Sequence, residues 1–209
     1  AKAGQKCTAI RRIIVPHALI GPVGDAIAGK LSAIRIGDPA LETTRMGALA
    51  SAAQKADVLD KARQIAAECR QLAGNQDALE VDGADKAKGA FVAPMLFACD
   101  DPDAANAVHS VEAFGPVATL MPYRDLNHAG ALMNRGKGSL VASVFTNDAA
   151  FAREAVEALG AVPSALVIAG LAAGIAARMS WQSRGARALR RSAGPASGVR
   201  STPRGVRSG

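Results

Sequence analysis

A cysteine in a polar loop, Cys7, is the residue best suited to nucleophilic chemistry in this sequence. It lies in the segment Gly4-Gln5-Lys6-Cys7-Thr8, just ahead of an apolar run that predicts a buried strand. Loops at strand ends are where α/β proteins carry reacting groups, and a thiolate is a strong nucleophile at neutral pH. Positive charge from Lys6, Arg11 and Arg12 would favour the thiolate if those side chains face the sulfur. The segment predicts a nucleophile at Cys7, although a cysteine near a basic residue is common in proteins.

A carboxylate, an aromatic ring and a Gly-Pro turn fall within five residues at Glu112-Ala113-Phe114-Gly115-Pro116. They come directly before an apolar run from Val117 that predicts a strand. Glu112 could accept hydrogen bonds from the hydroxyl groups of a ligand, and Phe114 could pack on the face of a flat polar molecule. From the residues alone, a solvated glutamate and a core phenylalanine at a turn are the preferred interpretation.

The other two cysteines and the three histidines are predicted to be structural. Cys69 falls in the apolar stripe of a predicted helix and Cys99 closes a predicted strand, so both are expected to be small core residues. His17, His109 and His128 have no thiol or carboxylate partner at a convincing spacing. The chain has no CxxC pair and no His/Cys cluster, so no metal site is predicted. Three scattered cysteines favour reduced thiols and a cytoplasmic protein.

Predicted strands alternate with predicted helices at short intervals. Aromatic residues make up 3% of the chain, and Ala and Gly dominate, which suits close packing of helices on a sheet. The pattern predicts an α/β fold with a mostly parallel sheet, flanking helices and a disordered C-terminal tail. The predicted strands are Arg11–Val15, Ala78–Val81, Phe91–Ala98, Val117–Tyr123, Leu140–Thr146 and Leu166–Ala169, and the predicted helices are His17–Ile34, Ser51–Leu72, Leu126–Met133 and Ala149–Leu159.

The net charge of +7 comes from the C-terminal part of the chain. After Glu157 there is no Asp, Glu or Lys but there are eight arginines, and without these 17 basic residues stand against 18 acidic ones. Residues 178–209 are predicted to be a disordered tail, because Arg, Ser, Gly and Pro prevail there without a period. An alternative function is a non-enzymatic basic protein that binds nucleic acid or an anionic membrane through this tail.

A stretch of twenty residues without a charge, Ala158 to Ala177, has the length of a membrane-spanning helix and is followed by arginines. Its Ala- and Gly-rich composition and the internal Pro163 fit such a helix poorly. Residues 161–177 are therefore predicted to be an apolar strand followed by irregular chain. A tail-anchored membrane protein is the third hypothesis.

The two candidate motifs and their order resemble the aldehyde dehydrogenase superfamily. Gly4-Gln5-Lys6-Cys7 is similar to the family's nucleophile loop, and Glu112 to Pro116 is similar to its cofactor-ribose motif. The fuller stretches Lys2 to Pro16 and Val108 to Pro122 are most similar to the dehydrogenase domains of phenylacetate degradation, and semialdehyde dehydrogenases of the benzoyl-CoA pathway are similar as well. The resemblance covers about residues 1–160, which would form a partial catalytic domain.

This resemblance implies an oxidoreductase that oxidises an aldehyde with NADP or NAD. Cys7 would be the catalytic nucleophile, Glu112 would bind the nicotinamide ribose, and Phe114 would pack beside the nicotinamide. The implied substrate is a semialdehyde carried as a CoA thioester, and the implied intact enzyme is a homo-oligomer. Neither nucleic acid nor a membrane is implied as a partner.

Three parts of the family's active site are expected to lie outside this chain. In the family the phosphate-binding turn, the general-base glutamate and the oxyanion-hole asparagine lie upstream of the nucleophile, whereas this chain begins six residues before Cys7. The isolated chain is therefore expected to be inactive and to be part of a longer enzyme. The Arg-rich segment does not match the family's Gly-rich ending, and a shifted reading frame in GC-rich DNA is one hypothesis for it.

Overall fold

The computed structural model describes residues 2–137, 140–160 and 166–171. Within these ranges the chain forms six strands and five α-helices, with a short 3-10 helix at His17–Leu19. The strands are β1 (Arg12–Pro16), β2 (Arg70–Ala73), β3 (Met95–Ala98), β4 (Val117–Tyr123), β5 (Val141–Thr146) and β6 (Leu166–Leu171), and the helices are α1 (Ile20–Ser32), α2 (Ala52–Ala66), α3 (Ala107–Ser110), α4 (Leu126–Arg135) and α5 (Ala149–Gly160).

Four strands form the main sheet in the order β1-β4-β3-β2, and β5 pairs with β6 in a second sheet. β1 runs parallel to β4, with Arg12 opposite Thr119, and β4 runs parallel to β3, with Val117 opposite Met95. β2 is antiparallel to β3 and lies at the edge. The β5–β6 pair is parallel. The predicted α/β fold with a mostly parallel sheet is confirmed.

Both faces of the main sheet are covered, which explains why β3 is apolar at every position. On one face, Gly24 of α1 lies against Leu120 of β4. On the opposite face, Phe97 and Met121 are buried in one cluster with Val58 of α2. β3 and β4 are therefore held between two layers of helix.

Side-chain N-caps fix the first residues of α2 and α4. Ser51 precedes α2, and its hydroxyl oxygen accepts a hydrogen bond from the backbone N–H of Gln54 at 3.1 Å. Asp125 precedes α4 and accepts from the backbone N–H of His128 at 2.8 Å. Each cap satisfies one of the N–H groups that have no partner inside the helix.

Most predicted elements lie within a few residues of the observed ones, and β4 has the predicted bounds. The predicted helix Ser51–Leu72 is wrong in its last turns, because α2 ends at Ala66 and Arg70–Ala73 form β2. Pairing of this segment with β3 outweighs its helical periodicity, a case of tertiary contacts overriding local preference.

The predicted strand Ala78–Val81 is also wrong, because these residues are irregular. Just before this segment, the side chain of Gln76 holds the chain to Ala93. Its Oε1 accepts from Ala93 N at 2.9 Å, and its Nε2 donates to Ala93 O at 3.1 Å. A side-chain amide therefore makes both backbone bonds of Ala93 that a paired strand residue would make.

Several predictions fall on residues outside the described ranges. These are the disordered tail at 178–209 and most of the apolar segment 161–177, although the strand predicted at Leu166–Ala169 is found as β6. Throughout the described residues, no helix is both long and apolar enough to cross a membrane.

Candidate active site

Cys7 lies in a tight loop that immediately precedes β1. A backbone hydrogen bond from Gln5 N to Lys2 O, 2.9 Å long, closes the start of the loop. The side chain of Gln5 anchors the loop from outside, since its Oε1 accepts from Ala50 N at 3.0 Å. Cys7 itself is exposed. The thiol is therefore presented to solvent on a loop whose backbone is held at its base.

Gly4 joins this loop to the second predicted motif. Its φ of +73° lies in the left-handed region that favours glycine. A Cβ at this position would collide with the carbonyl oxygen of Gly115 and lie 2.9 Å from the nitrogen of Pro116. The backbone before Cys7 therefore packs directly against the Gly115–Pro116 turn. Two motifs more than one hundred residues apart in sequence meet at one place.

The turn itself is positioned by α2. Gly115 is buried against Val58, whose Cγ2 would lie 2.6 Å from a Cβ on the glycine. Phe114 has a φ of +49°, which is rare for a bulky residue, and the residue is 40% exposed. Glu112 is exposed as well. The interpretation of Phe114 as a core residue is therefore wrong, and both side chains stand open to a ligand.

Arg11 and Arg12 hold the chain behind the loop together. The Arg11 guanidinium donates to the carbonyls of Val111 at 3.2 Å and Gly136 at 2.7 Å. Arg12 donates to the carbonyls of Leu132 at 2.6 Å and of Met133 at 3.0 Å, at the end of α4. Burial, with the nearby cations Arg11 and Arg135, lowers the pKa of Arg12 to about 10.

These bonds give the two arginines a role that the sequence did not predict. They were expected to favour the Cys7 thiolate if they faced it, but they bond backbone carbonyls and the His109 ring, and so fasten β1 to the segments around α3 and α4. A buried guanidinium is well suited to this because it offers five donors in a rigid fork.

Two histidines are structural, as predicted, but one has a carboxylate partner that only the fold supplies. His128 accepts from Arg124 N through Nδ1 at 3.1 Å, so its Nε2 donates to Asp103 at 3.1 Å. Hydrogen bonds from Arg124 and then from His128 lower the pKa of Asp103. His109 is 3% exposed and its Nε2 lies 2.8 Å from Pro102 O. Among the described residues, no group of His, Cys, Asp and Glu is arranged to hold a metal ion.

Comparison with known protein families identifies the family of this chain. The model of the aldehyde dehydrogenase family matches residues 1–164. The chain belongs to the aldehyde dehydrogenase family. Among curated family members, it is 43% identical over 173 residues to 3,4-dehydroadipyl-CoA semialdehyde dehydrogenase from Aromatoleum evansii, covering 83% of this chain and 34% of that protein. It is 46% identical over 110 residues to Protein MaoC from Klebsiella aerogenes, covering 52% of this chain and 31% of that protein.

Solved structures of the family share the fold. A mutant of aldehyde dehydrogenase C from Pseudomonas syringae, in complex with NAD+ and octanal, superposes with a TM-score of 0.67 at 26% identity, covering 82% of this chain and 33% of that one. HpcC from Thermus thermophilus superposes with a TM-score of 0.69 at 26% identity, covering 80% and 32%. The chain thus spans about a third of the length of its family relatives.

The fold brings the loop of Cys7 against the turn that carries Phe114 and Gly115, and Glu112 lies at the start of that turn. Their catalytic and cofactor-binding roles stay predictions. Gly4 and Val58 were not predicted as positioning residues. The only signal for Gly4 was its residue type, because glycine is favoured where the backbone is left-handed or is approached closely.

Proposed function

We propose that this chain is the nucleophile-bearing part of an NAD(P)-dependent aldehyde dehydrogenase, with Cys7 as the nucleophile. The observation that carries the proposal is the close packing of the Gly4 backbone against Gly115 and Pro116. It places an exposed thiol loop beside an exposed carboxylate and an exposed ring, in a chain whose family match runs over residues 1–164.

The chemistry of Cys7 follows from that of a thiolate. Its sulfur attacks the aldehyde carbon, a C–S bond forms, and the carbonyl oxygen takes up the electron pair to give a thiohemiacetal after protonation. When bound, NAD or NADP supplies the hydride acceptor for the oxidation. The resulting thioester on Cys7 is hydrolysed by water, which releases a carboxylic acid and restores the thiol.

The residues of the Gly115 turn fit a nicotinamide cofactor. Glu112 offers an exposed carboxylate, which accepts hydrogen bonds from ribose hydroxyls, and Phe114 offers an exposed apolar ring that packs beside a flat heterocycle. Holding Phe114 at φ +49° costs about 1–3 kcal/mol of backbone strain, and such strain clusters at ligand-binding sites. Discrimination between NAD and NADP is not carried by these residues.

The proposed substrate is a CoA-linked semialdehyde from the degradation of an aromatic compound. The support is the 43% identity to a 3,4-dehydroadipyl-CoA semialdehyde dehydrogenase. The proposal includes a general base and an oxyanion donor from the part of the enzyme that precedes this region in its relatives, and a homo-oligomeric cytoplasmic enzyme. Residues 1–160 are proposed as a partial catalytic domain, and residues 178–209 as a tail produced by a shifted reading frame.

A chimera tests the nucleophile. Residues 2–160 replace the matching segment of the Aromatoleum evansii enzyme, and NADH or NADPH formation is followed with 3,4-dehydroadipyl-CoA semialdehyde as the substrate. We expect turnover by the chimera, a loss of about 10³-fold or more in kcat for Cys7→Ser, and near-normal kcat for the matched control Cys69→Ser. A Cys7→Ser chimera that keeps its rate would refute the assignment.

The chain by itself is the second arm of this experiment. Because the proposal places the base and most of the cofactor site elsewhere, the purified chain forms no NADH or NADPH from the aldehyde. Turnover by the chain alone would contradict the proposed division of the active site.

A further inference from the structure

Two of the three cysteines lie opposite each other across the edge of the main sheet. β2 and β3 are antiparallel with Arg70 opposite Ala98, and the same register continued by one residue places Cys69 opposite Cys99. Opposed residues in an antiparallel pair have Cα atoms about 4.5–5.5 Å apart. This separation lies inside the range of about 4.4–6.8 Å that a disulfide requires.

The two thiols already interact. Both side chains lie on the face of the sheet that carries Phe97, and both pack on the same apolar cluster. Hydrogen bonding to Cys99, with burial and the carboxylates of Glu68 and Asp100, raises the pKa of the Cys69 thiol. The same interaction with Cys69 lowers the pKa of the Cys99 thiol, so Cys99 is the partner that gives up its proton more readily.

Accessibility differs between the partners. Cys99 is 1% exposed, whereas Cys69 is only partly buried, in the bend between α2 and β2. An oxidant therefore reaches the pair from the side of Cys69, and Cys99 is the nearest group with which an oxidised Cys69 can react. A small uncharged oxidant such as a peroxide suits this geometry.

We propose that Cys69 and Cys99 form an intramolecular disulfide when the protein meets a peroxide. The S–H bonds of both residues and the O–O bond of the peroxide break, and one S–S bond and two O–H bonds form. Two electrons and two protons pass from the thiols to hydrogen peroxide, which leaves as two molecules of water. The bond ties the bend after α2 to the carboxyl end of β3 and closes a loop of about 30 residues.

We expect the disulfide to hold the end of α2 against β3 and to raise the unfolding temperature. This helix ends at Ala66, three residues before Cys69, and its Val58 supports Gly115 in the turn below the Cys7 loop. Closing a loop of this length restricts the unfolded chain, so the oxidised protein unfolds at a temperature higher by roughly 5–10 °C.

Mass spectrometry tests the proposal on the full chain, because trypsin places the three cysteines in three different peptides. Cys7 falls in peptide 7–11, Cys69 in peptide 64–70 and Cys99 in peptide 89–124. The Cys7→Ser chain, which lacks the exposed thiol, is treated at low concentration with hydrogen peroxide, blocked with iodoacetamide and digested without reductant. We expect peptide 64–70 linked to peptide 89–124 in a chain that runs as a monomer on a non-reducing gel.

The controls distinguish an intramolecular disulfide from unlinked cysteines and from a disulfide between two chains. Dithiothreitol restores two free peptides and reverses the rise in unfolding temperature, and Cys69→Ala shows neither the link nor the rise. Recovery of both peptides unlinked, alkylated or over-oxidised, or a link found only in dimers, would overturn the proposal. The result does not depend on aldehyde oxidation, so failure here leaves the function of Cys7 untouched.

Discussion

At the scale of single residues, the site depends on two glycines more than on its reactive side chains. Cys7 is the proposed nucleophile and Phe114 the proposed cofactor contact, but Gly4 and Gly115 allow the two segments to touch. Gly4 combines a positive φ with direct contact to a carbonyl, so no other residue fits there without moving the loop. The loop of the candidate nucleophile can therefore reach this position only because residue 4 is a glycine.

Replacing Gly4 by alanine should be costly. The Cβ meets the Gly115 carbonyl, and the left-handed backbone is strained for alanine, so we expect a loss of about 2–3 kcal/mol in the free energy of unfolding. Urea denaturation measures the change. The matched control is Gly29→Ala in α1, where no atom lies near the new methyl group, and it should stabilise the chain by about 0.5–1 kcal/mol. Equal behaviour of the two variants would contradict this account of Gly4.

At the scale of elements, α2 positions the candidate site. It begins at a serine cap, buries Val58 against Gly115, and ends just before the bend that holds Cys69. The sequence predicted this helix from its apolar stripe, but it did not predict its end. The competition between another helical turn and a strand next to β3 was decided by a partner that lies about thirty residues further along the chain.

The cap of α2 gives a test at this scale. Ser51→Ala removes the acceptor for Gln54 N, which should lower the free energy of unfolding by about 1 kcal/mol. Ser51→Asp keeps an acceptor at the same place and should restore most of that loss. If alanine and aspartate have the same effect in urea denaturation, the hydroxyl does not cap the helix.

At the scale of the whole molecule, a buried polar cluster joins the segments around β1, α3 and α4. His109 lies at its centre: Nε2 lies 2.8 Å from Pro102 O, so Nδ1 is left to accept from Arg12 at 3.2 Å. Arg135 bonds the carbonyls of Asp103 and Ala105 nearby. Such an arrangement needs a neutral imidazole, because a protonated Nδ1 could not accept.

This cluster makes stability depend on pH. Burial lowers the pKa of His109, and the cations Arg135, Arg12 and Arg11 act in the same direction. Above about pH 6.5, the pKa of histidine in an unfolded chain, both states are neutral and the stability is full. As the pH falls below that value, His109 is protonated in the unfolded chain but stays neutral in the folded one. The free energy of unfolding therefore falls by at most about 1.4 kcal/mol per pH unit, until the pH passes the lowered pKa of His109 in the folded protein.

Denaturation from pH 8 to pH 5 measures this effect. His109→Gln should flatten the decline between pH 6.5 and pH 5, since glutamine does not titrate. His17→Gln, at an exposed histidine, should leave the decline in place. A decline that is equally steep in all three proteins would mean that other groups cause it.

The sequence by itself determined the alternation of strands and helices, the buried character of β3 and β4, and the two motifs that carry the family resemblance. These are local properties, set by periodicity and by residue type at short spacing. The tertiary structure decided what lies next to what. It seated Gly4 on Gly115, gave His128 its partner Asp103, turned Arg12 toward carbonyls of α4 and placed Cys69 beside Cys99. Contacts of this kind join residues up to about 120 positions apart, and no local pattern encodes them because they exist only once the sheet has formed.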